Sequence, residues 1–269
     1  MRSDNDNITA ITDFGTEVMS QAGDIALRYF RTELEVINKA KKRKYDPVTL
    51  ADREVETFLR TRIHETWPDH GIVGEEYGEE EARQGDRAWL IDPIDGTRGF
   101  VSGTPMWGLL LGLTEGGRPL AGFMRQPYLG ETYVGSPLGG KLLTAGGSVP
   151  LATSRTEDLK DAILCCTHPT MFRSEKDRAV FWEVEAATRF SRLGTDCYGY
   201  GLLARGFVDL IVEGDLERYD ILPLVPIVEA AGGVVTDWEG NPPLSGGNVV
   251  AAANPKLHAA ALEVIRRAL

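Results

Sequence analysis

Side chains that usually announce a fold or a chemistry are scarce in this sequence. Cysteine occurs only as Cys165, Cys166 and Cys197 in 269 residues. Adjacent cysteines rarely pair with each other and the count is odd, which argues against a disulfide framework and for a reducing, cytoplasmic setting. The histidines, His64, His70, His168 and His258, fall in no zinc spacing such as His-Glu-x-x-His. No apolar run reaches the length of a membrane span, and the first ten residues lack the basic-then-apolar order of a signal peptide. Positive charge is also short. With 29 Lys and Arg against 40 Asp and Glu, the net charge is −11. That argues against a nucleic-acid-coating face, which must be basic. An acidic chain that handles an anion needs local positive charge, and bound cations supply it directly.

What is present is ordinary for a globular protein: 42% hydrophobic and 26% charged residues. The length suits one large domain or two fused lobes. Residues 8–30 place Ile8, Ile11, Phe14, Val18, Ile25 and Tyr29 at helical spacing. Residues 35–39 read as a short strand, and the basic run 39–44 as a solvated loop or a phosphate-attracting rim. Asp46-Pro47 breaks the chain, and Thr49 caps a helix to about residue 65, with Leu50, Val55, Leu59 and Ile63 as its core face. A short strand at 72–74 leads into Glu75-Glu76, a polar mobile loop spans 79–86, and a strand covers 87–91.

From 106 to 145, strands at 109–113, 120–126, 131–135 and 141–144 form an antiparallel meander, and 146–153 reads as a linker. The second half alternates strands (162–167, 191–193, 208–213, 234–237, 248–252) with helices (175–188, 196–205, 220–231, 255–268). Pro226 lies deep enough in the third of these helices to distort it or delay its start. The expected fold is layered α/β, with an N-terminal α plus antiparallel-β lobe at 1–148 and a C-terminal α/β lobe at 149–269.

Several motifs mislead. Gly135 to Lys141 fits the phosphate-binding GxxxxGK spacing, but Leu142 replaces the required Ser or Thr and no helix follows, so it reads as a hairpin. Gly199-x-Gly201-x-x-Ala204 mimics a dinucleotide fingerprint, yet falls inside a helix, where close packing is the better reading. Asp13-Phe14-Gly15 lacks every other kinase element. Cys166 and Arg173, and Asp92 and Asp95, are each one residue too far apart for two other phosphatase classes.

The stretch Trp89-Leu90-Ile91-Asp92-Pro93-Ile94-Asp95-Gly96-Thr97 organises the rest. Apolar residues deliver two aspartates to a turn, and buried carboxylates are costly unless paired or metal-bound. Asp52, Glu75-Glu76 and Asp220 also sit at the ends of apolar elements. Clustered, these groups would repel one another unless cations lay between them, and hard oxygen ligands select Mg²⁺, Mn²⁺ or Ca²⁺.

Taken together, Asp52, Gly74-Glu75-Glu76, Asp92-Pro93-Ile94-Asp95-Gly96-Thr97 and Asp220 resemble the signature of the inositol monophosphatase superfamily of Mg²⁺-dependent, lithium-sensitive phosphatases. The resemblance covers essentially the whole chain, to the Glu229-Ala230-Ala231-Gly232-Gly233 segment and beyond. It implies a layered αβαβα fold, a homodimer and two to three Mg²⁺ ions, with Mn²⁺ as a substitute. Glu75, Asp92 and the Ile94 carbonyl would hold the first ion, Asp92, Asp95 and Asp220 the second, and Glu75 a weaker third. Thr97, hydrogen-bonded to Asp52, would help deprotonate the attacking water, and the Gly96 and Thr97 amides would bind phosphate.

The chain departs from the inositol pattern at Tyr219-Asp220, at Arg98-Gly99-Phe100 and at Gly194-Thr195-Asp196-Cys197-Tyr198. These changes resemble the histidinol-phosphate phosphatase branch, which serves histidine biosynthesis. The implied substrate is L-histidinol phosphate, whose ammonium and imidazole suit an extra carboxylate such as Asp196 or Glu213. Asp196 reads equally well as a helix N-cap, and Arg98 as a surface residue or a substrate contact. The other readings are an inositol-1-phosphate or broad sugar-phosphate monophosphatase, and a regulatory binding protein retaining the fold. No nucleic-acid or membrane partner is expected.

Overall fold

The structure is a computed structural model that describes residues 4–33, 37–38 and 47–269, without the side chains of 4–6, 37–38 and 47–48. The basic run 39–44 and most of the strand expected at 35–39 lie outside the described residues.

Helix α1 (Asp4–Leu27) buries Ile11, Val18, Met19, Ala22 and Ala26 completely. Strands β1 (Ile37–Asn38) and β2 (Pro47–Val48) form a small antiparallel pair. Helix α2 (Leu50–Thr66) starts at Thr49, whose hydroxyl accepts from the Ala51 amide while Asp52 accepts from the Thr49 amide. This reciprocal cap satisfies donors that a helix start otherwise leaves open. Val55, Leu59 and Ile63 form the buried stripe, each contributing about 1.5–3 kcal/mol by leaving water. Leu50, expected on that face, is 62% exposed. Five residues before Val55, it points about 140° away from the stripe at 100° per residue.

The larger sheet contains β3 (Gly71–Gly74), β4 (Gly78–Glu80), β5 (Arg87–Asp95), β6 (Gly108–Glu115), β7 (Arg118–Gln126), β8 (Glu131–Ser136), β9 (Gly139–Thr144) and β10 (Gly147–Pro150). Its order is β10-β9-β8-β7-β6-β5-β3-β4, antiparallel except for β3 beside β5. Two expectations are corrected here. The polar loop placed at 79–86 begins as β4, paired with β3. The linker placed at 146–153 begins as β10, paired with β9. Both are exposed edge strands, which pair through the main chain and carry no buried apolar alternation to betray them. Between β5 and β6 lies helix α3 (Thr97–Ser102).

The second sheet follows, through β11 (Ile163–Cys166), α4 (Glu175–Ala187), β12 (Phe190–Leu193), α5 (Asp196–Ala204), β13 (Leu210–Leu216), α6 (Arg218–Ile221), α7 (Val225–Ala230), β14 (Val234–Asp237), β15 (Gly247–Ala252) and α8 (Pro255–Ala268). Its order is β12-β11-β13-β15-β14, with β11, β12 and β13 parallel. The helix expected at 220–231 is broken into α6 and α7 around Pro223, and Pro226 sits in the first turn of α7, where its missing N–H costs nothing.

The layers run helix, sheet, helix, sheet, helix. Helices α1 and α2 cover one face of the larger sheet, α5 to α7 fill the space between the sheets, and α4 and α8 cover the far face of the second sheet. The middle layer sits unusually close. Gly112, Gly122, Gly135 and Gly140 face one another in register across β6, β7, β8 and β9, a row with no side chains. The main chain at Pro223 and Pro226 lies in that trough: a Cβ on Gly122 would overlap the Pro223 carbonyl, and one on Gly135 the Pro226 carbonyl. The trough thereby sets the height of the segment that begins with Asp220.

Candidate metal-binding active site

Asp92 and Asp95 lie three apart in β5, a separation that puts side chains on opposite faces of a regular strand. The register with β6 shifts between them: Asp92 opposes Leu110 and Asp95 opposes Gly108. Three steps on one strand match two on the other, a bulge that returns both carboxylates to one side. Pro93 falls within it, where a missing amide is tolerated. The Ile94 amide donates to Asp92 Oδ1 at 3.1 Å and fixes its orientation.

Asp220 arrives from the other half of the chain, in the first turn of α6, where it accepts from the Glu217 amide at 2.8 Å. Asp92, Asp95 and Asp220 each offer a carboxylate oxygen within 4.8 Å of the others. Asp92 is buried and the other two keep partial exposure. Burial pushes Asp92 and Asp220 well above the ordinary carboxylate range and Asp95 above it. For Asp92, the charges of Glu75, Asp95 and Asp220 add to that. Clustered acidic oxygens that raise one another's pKa are what a hard divalent cation stabilises, so the donor set fits Mg²⁺ or Mn²⁺. Glu75 follows β3, its amide bonded to the Ile91 carbonyl at 3.2 Å, and its carboxyl neighbours Asp92.

Thr97 and Asp52 are not joined as expected. The Thr97 hydroxyl donates to the Ile94 carbonyl at 3.0 Å, and the buried Asp52 accepts from the Thr49 hydroxyl at 2.7 Å. As a first-turn residue of α2, Asp52 is within reach of the Thr49 cap. Its carboxyl is pushed up to about 6, chiefly by burial, with Glu76 adding to the rise. Gly96 adopts φ +79 at the start of α3, a left-handed conformation that favours glycine.

Asp196 does not cap a helix. Thr195 holds that place, and Asp196 begins α5 at φ +44. It lies against Gly96, and its carboxyl is raised to about 7 by burial and by Asp95, with Arg98 pulling the other way. Arg98 is exposed. Glu213, on β13, is 1% exposed and accepts from the Thr167 amide at 2.7 Å and hydroxyl at 3.0 Å. Burial raises it to about 8 in spite of those bonds. Two features went unread in the sequence. The Cys197 amide donates to Asp95, and the buried Tyr200 hydroxyl has no hydrogen-bond partner among the described residues. The first is a main-chain contact and leaves no residue signature. The second sits on a helix that reads as core throughout.

Comparison with known proteins agrees with the layered fold. The profile of the inositol monophosphatase family matches residues 7–269. The chloroplastic bifunctional phosphatase IMPL2 of Arabidopsis thaliana is 37% identical over 262 residues, covering 93% of this chain and 73% of that protein. A histidinol-phosphatase of Chlorobaculum parvum is 32% identical over 239 residues, covering 88% and 90%. Among solved structures, an inositol monophosphatase from Zymomonas mobilis superposes with a TM-score of 0.84 at 35% identity, covering 99% of this chain and all of that one.

Proposed function

The chain belongs to the inositol monophosphatase family and is a metal-dependent phosphoric monoester hydrolase; we propose that its substrate is L-histidinol phosphate and its metal Mg²⁺. The observation that supports this substrate is Asp196, a partly exposed carboxylate beside Gly96 that stands outside the one acidic cluster found among the described residues. An acidic side chain there attracts an ammonium or imidazolium while the phosphate meets the metal centre. The resemblance to histidinol-phosphatases supports the same reading.

In this reading Glu75, Asp92, Asp95, Asp220 and the Ile94 carbonyl would hold two to three ions. When bound, the cations neutralise the phosphoryl charge and activate the attacking water. Gly96 and Thr97 present amides to the phosphate, and Asp196, Arg98 and Glu213 line the leaving-group side. Asp52, bonded to Thr49, positions the start of α2 and does not reach Thr97. The lobe at 1–148 supplies most ligands and the lobe at 149–269 supplies Asp220. A cytoplasmic homodimer sensitive to lithium belongs to the same proposal.

Phosphate release from L-histidinol phosphate and inositol-1-phosphate, side by side with Mg²⁺, tests the substrate. A kcat/KM about a hundredfold higher on histidinol phosphate, roughly 2.7 kcal/mol of discrimination, is expected. The reverse preference would replace this reading with the inositol one, which the Zymomonas mobilis likeness supports.

A further inference from the structure

We propose that Glu56 and Arg60 of α2 form a clamp that fixes Glu75 in the metal centre, acting as positioning residues for cation binding. The inference rests on Glu75 being a ligand. Helix α2 carries Asp52, Glu56, Arg60 and His64 four apart, a polar stripe on one face. Glu56 is fully buried and Arg60 is 7% exposed. Charges so placed are costly, and a buried ion pair adds little net stability. Besides each other, their partners among the described residues lie at 76–80, in the turn that follows Glu75 and in β4.

Glu56 Oε2 accepts from the Glu76 amide at 2.7 Å, and Oε1 accepts from the Tyr77 amide at 3.1 Å and from Arg60 Nε at 2.8 Å. Arg60 continues the grip, donating to Glu80 Oε1 at 2.6 Å and to the Gly78 carbonyl. His64 Nε2 meets the other Glu80 oxygen at 2.9 Å. The seat is tight: a Cβ on Gly74 would overlap the Glu56 carboxylate and the Arg60 guanidinium, so a larger residue there must displace the clamp. On its other side, the Glu75 amide is bonded to β5 through Ile91. Glu75 is thus held between the strand that carries Asp92 and the helix that carries Asp52. Neither Glu56 nor Arg60 belongs to the Asp92, Asp95 and Asp220 cluster found among the described residues.

The test measures Mn²⁺ binding directly, by electron paramagnetic resonance of the free ion, in the full-length protein and in Glu56→Gln, Arg60→Lys and Glu75→Gln. Melting temperatures in chelator and kcat and KM at saturating Mn²⁺ accompany it. Glu56→Gln is expected to weaken Mn²⁺ binding by about 10–100-fold, as loss of a group that orients a ligand does. Arg60→Lys, which keeps the charge but loses the fork, is expected to weaken it by a smaller factor. Saturating metal should restore kcat to within about threefold of the parent, with KM for the phosphate ester unchanged, since positioning is lost and not chemistry. A folded Glu56→Gln protein that binds Mn²⁺ within about twofold of the parent overturns the clamp. Should that variant fail to fold, Arg60→Lys decides by the same criterion. If Glu75→Gln also leaves Mn²⁺ binding untouched, the ligand assignment falls and the clamp with it. If only Glu75→Gln weakens binding, the clamp alone falls.

Discussion

The Cys197 amide donates to Asp95 Oδ1 at 2.8 Å, joining the first turn of α5 to the β5 bulge across 102 residues of chain. One carboxylate oxygen is held by the positive end of a helix. Asp95 also offers an oxygen within 4.8 Å of carboxylate oxygens of Asp92 and Asp220. Replacing Asp95 with Asn keeps an oxygen for that amide and removes a charge. Phosphate release should fall by about 10²–10³ in kcat/KM, as for loss of a group that organises transition-state charge. In chelator the same variant should melt at or above the parent temperature, because like-charge repulsion is relieved. A lower melting temperature with intact turnover would contradict the role.

The glycine trough makes a prediction about stability. Gly122→Ala places a methyl group into the Pro223 carbonyl, where backbone and not a flexible side chain must yield. Unfolding free energy should drop by about 1–3 kcal/mol, the usual cost of overpacking. Activity should fall as well, because Asp220 lies three residues before Pro223. Denaturant titration and phosphate release together check this.

Glu213 predicts a pH dependence. Its folded carboxyl, raised to about 8 from the ordinary 4.5, holds a proton that the unfolded chain releases. The stability it contributes is therefore complete below about pH 4.5 and is lost as pH rises through about 8. In chelator, melting temperatures of the parent should decline more steeply across that window than those of Glu213→Gln. Parallel curves would show that Glu213 does not titrate there.

Asp196 predicts a specificity effect. Asp196→Asn should raise KM for L-histidinol phosphate by about tenfold or more, as loss of a charged partner for the substrate's cation would. KM for inositol-1-phosphate, which carries no cation, should change little. Equal effects on both would assign Asp196 to the metal centre and not to the leaving group.

The carboxylate cluster was legible because residue type and position carry the signal together: a carboxylate at the end of an apolar strand has few other reasons to be there. Asp92, Asp95 and Asp220 do converge, although the bulge that aligns the first two leaves no sequence mark beyond Pro93. The expected Thr97–Asp52 bond failed because Asp52 has a nearer partner in its own cap, Thr49. The strands β4 and β10 were hidden since Gly-Glu-Glu and Gly-Ser-Val-Pro pair at exposed edges. Glu56 and Arg60 give no sign of burial in the sequence, and only the turn packed against them shows that they are buried. Charge on a helix reports its environment poorly, whereas apolar periodicity located nearly every element of the second half.

Asp92, Asp95, Asp220 and Glu75 are proposed to form a divalent-cation centre. Crystals grown with Mn²⁺ test it most directly, through the anomalous difference map. The account predicts peaks within about 2.0–2.4 Å of carboxylate oxygens from these residues, the range of hard-cation ligands. Peaks elsewhere, or an empty cluster in protein that binds Mn²⁺ and turns over substrate, would contradict it.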